Sequence, residues 1–327
     1  MRTVAVVVLA VAFAGFLARA ATTYELIGRL VPGAPAEVSL FGATSPFFAQ
    51  SSAGKNGRFR VAGLAPSEYI VALHIPGKGE IRQTVDVGPG TADPKRRVYL
   101  SIPTSDPALF SNETEPSRAT VSTLELSIPE QARREYADAQ KSLSRREIAA
   151  AIKHLERAVA IAPQFSNAWN NLGTIAYQTR QYARADECFR SALKHNPDAY
   201  EPAVNLGGVL MNEGRPDEAL TYNRLAAGSR PHDALADSQL GLNYFILGKL
   251  DDAMKYLELA KHIDPGHFSH PQLTLARIHL ARHELAAAIA ELRDFLRLHP
   301  DAHESANVRE QLLELETATG RAPAMPR

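Results

Sequence analysis

The stretch AWNNLGTIAYQTRQYARADECFRSALKHNP, residues 168–197, ends on a proline that returns along the chain at a nearly fixed interval. The intervals are 34, 34, 34 and 35 residues, and the prolines are Pro163, Pro197, Pro231, Pro265 and Pro300. A period of this length is typical of stacked repeats, each of which is one supersecondary unit. The second half of the chain is therefore predicted to be a repeat array.

Two columns of small residues predict that each repeat is a helical hairpin. Alanine stands twelve residues before each proline, at Ala151, Ala185, Ala219, Ala253 and Ala288. A second small residue stands 24 residues before each proline, at Ala139, Gly173, Gly207, Gly241 and Ala276. Small side chains at matched places let two helices approach closely, and Gly214 and Gly248 are expected to end the first helix of their hairpins. The pattern predicts an all-α solenoid of stacked hairpins.

These columns resemble the tetratricopeptide repeat. The residues that carry the resemblance in the quoted stretch are Trp169, Leu172, Gly173, Ala185, Phe189, Ala192 and Pro197. The resemblance implies five repeats over residues 130–302, wound as a right-handed superhelix, with a capping helix over 303–318 and a flexible tail over 319–327. Asp138 in the first repeat and Phe295 in the fifth depart from the pattern, as residues of terminal repeats commonly do.

The first twenty residues predict a secretory signal peptide. An apolar run from Val4 to Leu17 is followed by Ala18-Arg19-Ala20, a small-x-small pattern that signal peptidase accepts. The alternative is a retained membrane anchor, but the run is short for a span, which needs about 20 residues. We therefore expect a mature chain without a membrane span, exported to the periplasm or secreted.

Residues 23–102 show the period of two that is typical of strands with one buried side. In RFRVAGL, Phe59 and Val61 alternate with arginines, and in EYIVALHI the alternate residues Tyr69, Val71, Leu73 and Ile75 share one face. About seven such runs are separated by clusters of glycine and proline. The pattern predicts an all-β antiparallel sandwich that precedes the helical repeats, so the chain is multidomain.

The order of these strands resembles the carboxypeptidase regulatory-like domain, a transthyretin-like sandwich. The segments PAEVSLFG, GRFRVAGLAPSEYIVAL and VDVGPG carry the resemblance, which implies an accessory domain without catalytic residues. Residues 103–129 are rich in proline, serine and threonine and are predicted to be a linker to the repeats.

Composition and motifs exclude several classes of function. Lysine plus arginine equals aspartate plus glutamate at 36 each, so the chain lacks the basic surplus expected for nucleic-acid binding. The sequence contains no nucleophile-elbow, phosphate-loop or dinucleotide motif, and no catalytic residue or cofactor is predicted. Cys188 is the single cysteine, so no intramolecular disulfide can form.

Histidines are concentrated near the end of the array. Seven of the eleven lie between His262 and His303, and His279 and His283 have the i, i+4 spacing of two metal ligands on one helix. Spacing alone is a weak signal, and both near matches to the HExxH motif lack the second histidine. Burial within the stack is the simpler interpretation of His279, so no metal site is predicted.

The inner face of the repeats is predicted to bind a peptide segment of a protein partner. Packing accounts for Trp169 and Leu172, whereas Asn170 and Asn171 lie about 100° away around the helix, where amides can pair with a bound backbone. The matching faces of all repeats give the candidate groove: Tyr136, Gln140, Asn170, Asn171, Thr174, Tyr177, Asn205, Gln239, Phe245 and Arg277. The lysines that grip acidic peptide tails in some related domains are missing, so a neutral or amphipathic peptide is expected.

A second hypothesis remains open from the sequence. In it the protein is a cell-envelope module whose sandwich binds glycan, and the repeats serve as a spacer or a self-association surface. Under the first hypothesis the protein is a non-catalytic scaffold for protein–protein interaction.

Overall fold

The structure is a computed structural model that describes residues 22–110 and 127–318. The predicted signal peptide, most of the predicted linker and the predicted C-terminal tail lie outside these residues. Within them, seven β-strands are followed by a 3-10 turn, Pro107–Leu109, and eleven α-helices. No helix in the described part of the chain is long and apolar enough to cross a lipid bilayer.

The seven strands form two sheets that pack face to face. The strands are β1 (Tyr24–Val31), β2 (Ala36–Gly42), β3 (Phe48–Ala53), β4 (Arg58–Leu64), β5 (Ser67–Ile75), β6 (Gly79–Val87) and β7 (Arg97–Pro103). One sheet has the order β4-β1-β7 and the other the order β3-β2-β5-β6. Inward residues such as Leu26, Leu40 and Tyr69 are almost fully buried between the sheets. The predicted all-β sandwich is confirmed.

One strand pair differs from the antiparallel prediction, since β1 and β7 run parallel. Hairpins join neighbouring strands in antiparallel fashion, but parallel strands need a crossover connection. Residues 88–96 provide it, because they leave β6 in one sheet and bring β7 alongside β1 in the other. Alternation alone predicts which side of a strand is buried and carries no information on strand direction.

The helices form five antiparallel hairpins and one final helix. They are α1 (Glu130–Ser144), α2 (Ile148–Ile161), α3 (Ser166–Gln178), α4 (Tyr182–His195), α5 (Tyr200–Asn212), α6 (Pro216–Ser229), α7 (Ala234–Ile246), α8 (Leu250–Ile263), α9 (Pro271–Ala281), α10 (Leu285–Leu298) and α11 (Ser305–Ala318). The final helix buries Val308 in a cluster with Leu292 and Phe295 of α10. The all-α solenoid that follows the sandwich is confirmed.

The turn inside each hairpin has one residue in the left-handed conformation, at the same position each time. Gly214 and Gly248 have φ of 73° and 72°, a conformation that glycine adopts readily. The equivalent residues of the other hairpins are Arg146, Arg180 and His283, with φ of 61°, 60° and 61°. Non-glycine residues adopt this conformation rarely, so the repeat geometry overrides local preference here.

The same turn corrects the interpretation of the histidine pair. The helix that contains His279 ends at Ala281, and His283 lies beyond it in the left-handed turn. The two histidines therefore do not share a helix face, and Nδ1 of His279 instead lies 2.6 Å from Oε2 of Glu284. The prediction of an i, i+4 helical pair is wrong.

Matched small residues bring the two helices of a hairpin into contact. A Cβ added to Gly173 would lie 2.6 Å from the ring of Phe189, and one added to Gly207 would lie 2.7 Å from Cγ of Asn223. Neither contact leaves room for a methyl group, which explains the small column in the sequence. Cys188, on α4, is buried, and burial raises the pKa of its thiol to about 11.

Candidate functional site between the sandwich and the hairpins

The four-stranded sheet lies against the helical hairpins. The backbone N–H of Thr84 on β6 donates a hydrogen bond of 2.8 Å to Oδ2 of Asp264, which follows α8. At the other end, Nε2 of Gln178 on α3 donates a bond of 3.0 Å to the carbonyl oxygen of Gly42. The sheet thus covers part of the helix face on which the groove is predicted.

Strand β5 carried a sequence signal for this contact. Tyr69, Val71 and Leu73 point into the sandwich core, but Ala72, on the opposite face, is only 5% exposed. Ile70 on that same outer face lines a small cavity beside helix α7. An apolar run on both faces of a strand indicates that both faces are covered, so the sequence EYIVAL could have revealed that the sheet has a neighbour.

A pocket of about 300 Å³ opens between the sheet and the first two hairpins. We call it the aromatic pocket. Its residues are Ser39, Phe41, Gly42, Pro46, Phe47, Phe48, Gln50, Tyr136, Gln140, Leu143, Asn171, Thr174, Ile175 and Gln178. Phe41 and Phe48 pack with ring centroids 5.2 Å apart. All fourteen residues are uncharged, and the sandwich and the hairpins each contribute one wall.

Four of the ten predicted groove residues meet in the aromatic pocket: Tyr136, Gln140, Asn171 and Thr174. All four are half-buried, and Nδ2 of Asn171 donates a hydrogen bond of 3.1 Å to the hydroxyl of Tyr136. The hydroxyl of Thr174 donates to the backbone carbonyl of Asn170 on its own helix. The sequence located these side chains on one face but gave no sign that phenylalanines of the sandwich face them.

A larger cleft of about 900 Å³ lies between the sheet and the later hairpins. We call it the interdomain cleft. Its residues are Thr44, Pro66, Ser67, Glu68, Asp86, Val87, Gly88, Pro89, Tyr177, Asn212, Phe268, Ser269, His270, Asp301, Ala302, His303 and Glu304. Asp301 closes one side of it by accepting a hydrogen bond of 2.6 Å from the backbone N–H of Gly90. Tyr177, also predicted in the groove, accepts a bond of 3.1 Å from Nδ2 of Asn212.

Three other predicted amides lie on the helices between these two spaces. Nδ2 of Asn205 donates a hydrogen bond of 3.2 Å to Oδ1 of Asn170, so the two amides satisfy each other in part. Gln239 packs beside Gly208, and its Oε1 atom is buried without a hydrogen-bond partner among the described residues. The amide column is therefore present, but two of its members, Asn170 and Asn205, already bond to each other.

The last two predicted residues lie apart from the aromatic pocket. Phe245 is half-buried against the cluster formed around Leu240 and Tyr244. Arg277 is exposed and lines a separate depression of about 170 Å³ beside α11. The ten residues thus occupy several places along the hairpins, and their role in peptide binding stays a prediction.

Burial shifts two titratable groups at the Thr84 contact. Burial raises the pKa of Asp264 to about 7, although the hydrogen bonds from Thr84 lower it in part. Burial lowers the pKa of His267 to about 4, since the neutral ring is favoured away from water. Arg82 and Asp233 line the same small cavity, so the contact carries charges of both signs.

One group of side chains at the edge of the interdomain cleft has the geometry of metal ligands. Oε1 of Glu68 lies 2.9 Å from Nε2 of His270 and 3.4 Å from Nδ1 of His299. Burial would raise the pKa of Glu68, but His270 and His299 lower it to about 2. We call these three residues the histidine–carboxylate cluster. Sequence reasoning missed it because Glu68 is 202 residues from His270; the excess of histidine after His262 was the available signal.

Carboxylates crowd around this cluster. Burial and then the charges of Glu68 and Asp301 raise the pKa of Asp86 to about 6. Oε2 of Glu304 lies 4.0 Å from Nδ1 of His270, on the side of the ring away from Glu68. The cleft lining includes four carboxylates and neither lysine nor arginine.

Comparison with protein families identifies the helical region. Residues 130–185 and 170–234 match a tetratricopeptide repeat model, and residues 238–267 match a second one. Over residues 130–234 and 238–267 the chain is therefore built of tetratricopeptide repeats. The resemblance of the sandwich to the carboxypeptidase regulatory-like domain stays a prediction.

Curated proteins with similar sequences match this chain over part of its length. Anaphase-promoting complex subunit 3 of Schizosaccharomyces pombe is 25% identical over 156 residues, which is 48% of this chain and 23% of that protein. The peroxisomal targeting signal receptor of Kluyveromyces lactis is 28% identical over 105 residues, which is 32% of this chain and 19% of that protein. The chain thus spans about a fifth of the length of these two relatives.

Solved structures show the same fold for the helices. PilW, described as a widely conserved type IV pilus biogenesis factor, is similar with a TM-score of 0.52 and 21% identity, over 59% of this chain and 88% of that chain. The Cut9–Hcn1 hetero-tetramer of the APC/C is similar with a TM-score of 0.52 and 19% identity, over 61% of this chain and 38% of that chain. At these identities the likeness establishes the solenoid fold alone.

Proposed function

We propose that this protein is an exported, non-catalytic scaffold that binds a peptide segment of a partner protein in the aromatic pocket. Support for a scaffold comes from the tetratricopeptide repeats and from the similarity to a subunit of the anaphase-promoting complex, itself an assembly of proteins. The observation that carries the peptide-binding proposal is the composition of the aromatic pocket, in which the exposed ring of Phe41 and the half-buried ring of Phe48 lie across from half-buried amides.

The pocket combines the two kinds of group that recognise a peptide. Phe41, 37% exposed, and Phe48 offer apolar surface to a side chain of the ligand, and aromatic anchors of this kind are enriched at binding hot spots. Gln140 and Asn171 carry amides that can donate to and accept from a peptide backbone. Since no lining residue is charged, a neutral apolar segment avoids the desolvation of a buried charge.

Both domains are needed for this site. The phenylalanines belong to the sandwich, and the amides belong to the first two hairpins. We therefore expect the full mature chain to bind the peptide, and the repeats alone to bind it more weakly. The carboxyl-terminal depression around Arg277 is not required in this proposal.

The test is site-specific photo-crosslinking in the organism that makes the protein. A benzoylphenylalanine at position 41 or at position 140 should capture one partner, and both positions should map to the same short segment of it. A third probe in place of Leu259, which is 37% exposed on α8, the second helix of its hairpin, is the matched control and should not capture that segment.

A binding assay then measures the contribution of each wall. A synthetic peptide with the captured segment should bind the full chain, and the double variant Gln140→Ala with Asn171→Ala should weaken binding by about 1–3 kcal/mol if backbone groups of the peptide lose their partners. The variant Arg277→Ala is the control and should bind as well as the wild type. Equal affinity of the double variant and the wild type would rule out the aromatic pocket as the site.

Export is the second part of the proposal and rests on residues 1–20 of the sequence. The mature chain is expected to begin at or near Ala21, because signal peptidase accepts the pattern before it. Intact-mass measurement of the protein recovered from the cell envelope or the medium tests this. A mass that includes residues 1–20 would instead indicate a retained anchor.

The sandwich offers one observation in favour of the glycan hypothesis. Tyr99 on β7 is 58% exposed, and its hydroxyl donates a hydrogen bond of 3.2 Å to Asp93, which also pairs with Arg97. An exposed aromatic ring beside charged groups is a surface that a sugar can contact. Loss of envelope binding in a Tyr99→Ala variant, with peptide binding retained, would assign the sandwich its own ligand.

A further inference from the structure

The histidine–carboxylate cluster joins the two domains at a buried point. Glu68 lies on β5 of the sandwich, His270 immediately precedes α9, and His299 immediately follows α10. The side chains are 15%, 12% and 1% exposed in that order. No other group of three His, Cys, Asp or Glu side chains in the described residues brings its ligand atoms within 4.8 Å of one another.

His299 is the unexplained member of this group. Neither ring nitrogen makes a hydrogen bond of good geometry among the described residues; Nδ1 lies 3.4 Å from the Glu68 carboxylate, and Nε2 has no polar partner, although the ring is almost completely buried. The ring stacks on Phe295, with centroids 5.4 Å apart, and meets His270 edge to face at 4.4 Å. A buried polar atom without a partner is costly, and an ion is one of the ordinary explanations for it.

The distances fit a small divalent cation. Four ligands at about 2.0–2.2 Å from a tetrahedral Zn²⁺ lie roughly 3.3 Å apart. The carboxylate oxygen of Glu68 is 2.9 Å from one histidine nitrogen and 3.4 Å from another, so only small side-chain movements would centre an ion among them. Two imidazoles with one carboxylate suit zinc and neighbouring transition metals better than Ca²⁺ or Mg²⁺, which prefer oxygen ligands.

The surroundings favour positive charge as well. Asp86, Asp301 and Glu304 line the same cleft as Glu68, and no lysine or arginine lies among its lining residues. Glu304 is placed 4.0 Å from the nitrogen of His270 that points away from Glu68, the position from which carboxylates commonly orient metal-bound histidines. A divalent cation would neutralise part of this crowded negative charge.

We propose that Glu68, His270 and His299 bind one Zn²⁺-like divalent cation, which ties the sandwich to the last hairpin. The ion takes one oxygen and two nitrogens from the protein, and its remaining position faces the interdomain cleft, where water can complete the coordination. Because one ligand belongs to the sandwich and two belong to the hairpins, bound metal holds the domains together. This inference is independent of peptide binding in the aromatic pocket.

The test uses the full mature chain, stripped of metal with a chelator and then titrated with Zn²⁺ against a chromophoric competitor. The wild type should bind one Zn²⁺ per chain, and its thermal midpoint should rise with free Zn²⁺ by mass action. Glu68→Gln and His299→Ala should each weaken binding about 100-fold or more, since loss of outer-shell partners alone costs 10–100-fold. Ca²⁺ at the same concentration should not bind.

The matched control is the double variant His279→Ala with His283→Ala, which removes two histidines of the same hairpin outside the cluster. It should bind Zn²⁺ as the wild type does. Cobalt gives a readout that a folding defect does not imitate: Co²⁺ in the wild type and the control should show the intense visible absorption of four-coordinate cobalt, which Glu68→Gln should lose while its circular dichroism is unchanged.

Two results would overturn the proposal. One is the failure of the wild type to bind a stoichiometric amount of Zn²⁺ at micromolar concentration. The other is equal loss of binding in the control and in the cluster variants, which would mean that surface histidines carry the metal. If His299→Ala fails to fold, Glu68→Gln decides the question alone, because it nearly preserves side-chain volume and a hydrogen-bonding group.

Discussion

The two ends of the contact between sheet and hairpins have opposite chemistry. At the first two hairpins, the aromatic pocket is lined by fourteen uncharged residues. Beside the last hairpin, the interdomain cleft contains four carboxylates and two histidines. The same sheet supplies one wall to both spaces, but both walls contribute to the difference, since Glu68 and Asp86 belong to the sandwich and the other two carboxylates and the histidines belong to the helical region.

This difference assigns distinct tasks to the two ends. Buried charges stabilise a contact only when their partners are correctly placed, so a charged contact specifies one arrangement of the domains. An uncharged surface has a small desolvation cost and can exchange one apolar neighbour for another. We therefore expect the charged end to fix how the domains dock, and the uncharged end to remain available to a ligand.

The largest expected effect comes from disturbing the hairpin between the two ends. Gly207→Leu should lower the free energy of unfolding by about 3 kcal/mol, the upper range for overpacking. The reason is that a side chain there meets Asn223, which is fully buried and bonded to Asn243 at 3.0 Å. Thermal melting followed by circular dichroism measures it. Gly228→Leu is the control, since nothing lies within 4 Å of a Cβ at Gly228.

The charged end should respond to pH through Asp264. Its pKa of about 7 lies above the ordinary value of 3.8, so the stability it contributes is complete below about pH 4 and is lost as pH rises to about 7. Asp264→Asn removes this loss. The free energy of unfolding of the variant, relative to the wild type, should therefore increase from pH 4 to pH 7 by on the order of 2 kcal/mol.

The comparison with wild type isolates Asp264 from its charged neighbours. Arg82, Asp233 and His267 face the same cavity and are unchanged in the variant. The low pKa of His267 acts in the opposite direction, since the stability it contributes is lost as pH falls from about 6.5 to about 4. The contribution of His267 is the same in both proteins, so it cancels in the difference between the variant and the wild type. A difference that is flat across this range would mean that Asp264 is ionised in the folded protein.

The uncharged end has one charged anchor at its border. Nη2 of Arg146 donates a hydrogen bond of 2.8 Å to the hydroxyl of Tyr69, and the guanidinium lies 4.7 Å from the ring centroid of Phe47. Arg146→Ala should cost about 1 kcal/mol, because Arg146 as a whole residue is exposed to solvent, which weakens both contacts. Chemical denaturation of the full chain measures the loss. Arg180→Ala, at the equivalent left-handed position of the next hairpin, controls for the backbone.

The smallest effect is expected at Gln178, within the aromatic pocket. Gln178→Ala removes one neutral hydrogen bond to the carbonyl of Gly42 and should cost about 0.5–1 kcal/mol. The exposed Gln181→Ala is the control, and it should change stability less. An equal cost for Gln178→Ala and Gln181→Ala would show that the hydrogen bond to Gly42 does not stabilise the contact between the domains.

The sequence predicted the architecture because the architecture is local. The 34-residue period, the small column and the glycine turns are all decided within one hairpin, and each was readable from neighbouring residues. The seven strands were readable from alternation for the same reason. Where a repeat lacks glycine, as at His283, the turn is identical although the local signal is absent.

The contact between the domains could not be predicted in this way. The residues that form it, such as Glu68 and His270 or Thr84 and Asp264, are about 180 to 200 positions apart, and no periodic pattern links them. The predicted groove residues all lie on helices of the repeats, but a single sequence does not indicate that the protein's own sheet lies over that face. The apolar outer face of β5 was the one local sign of it.

The aromatic pocket has a thermodynamic consequence because its two walls belong to different domains. A ligand that touches both walls binds only the docked arrangement, so its apparent affinity falls in proportion to the fraction of molecules that are docked. Reciprocity requires that the ligand favour docking by the same factor. Any ligand or ion that changes the docking equilibrium at the other end of the sheet therefore also changes the affinity of the aromatic pocket. The rigid sheet is the only structure that has to connect the two sites.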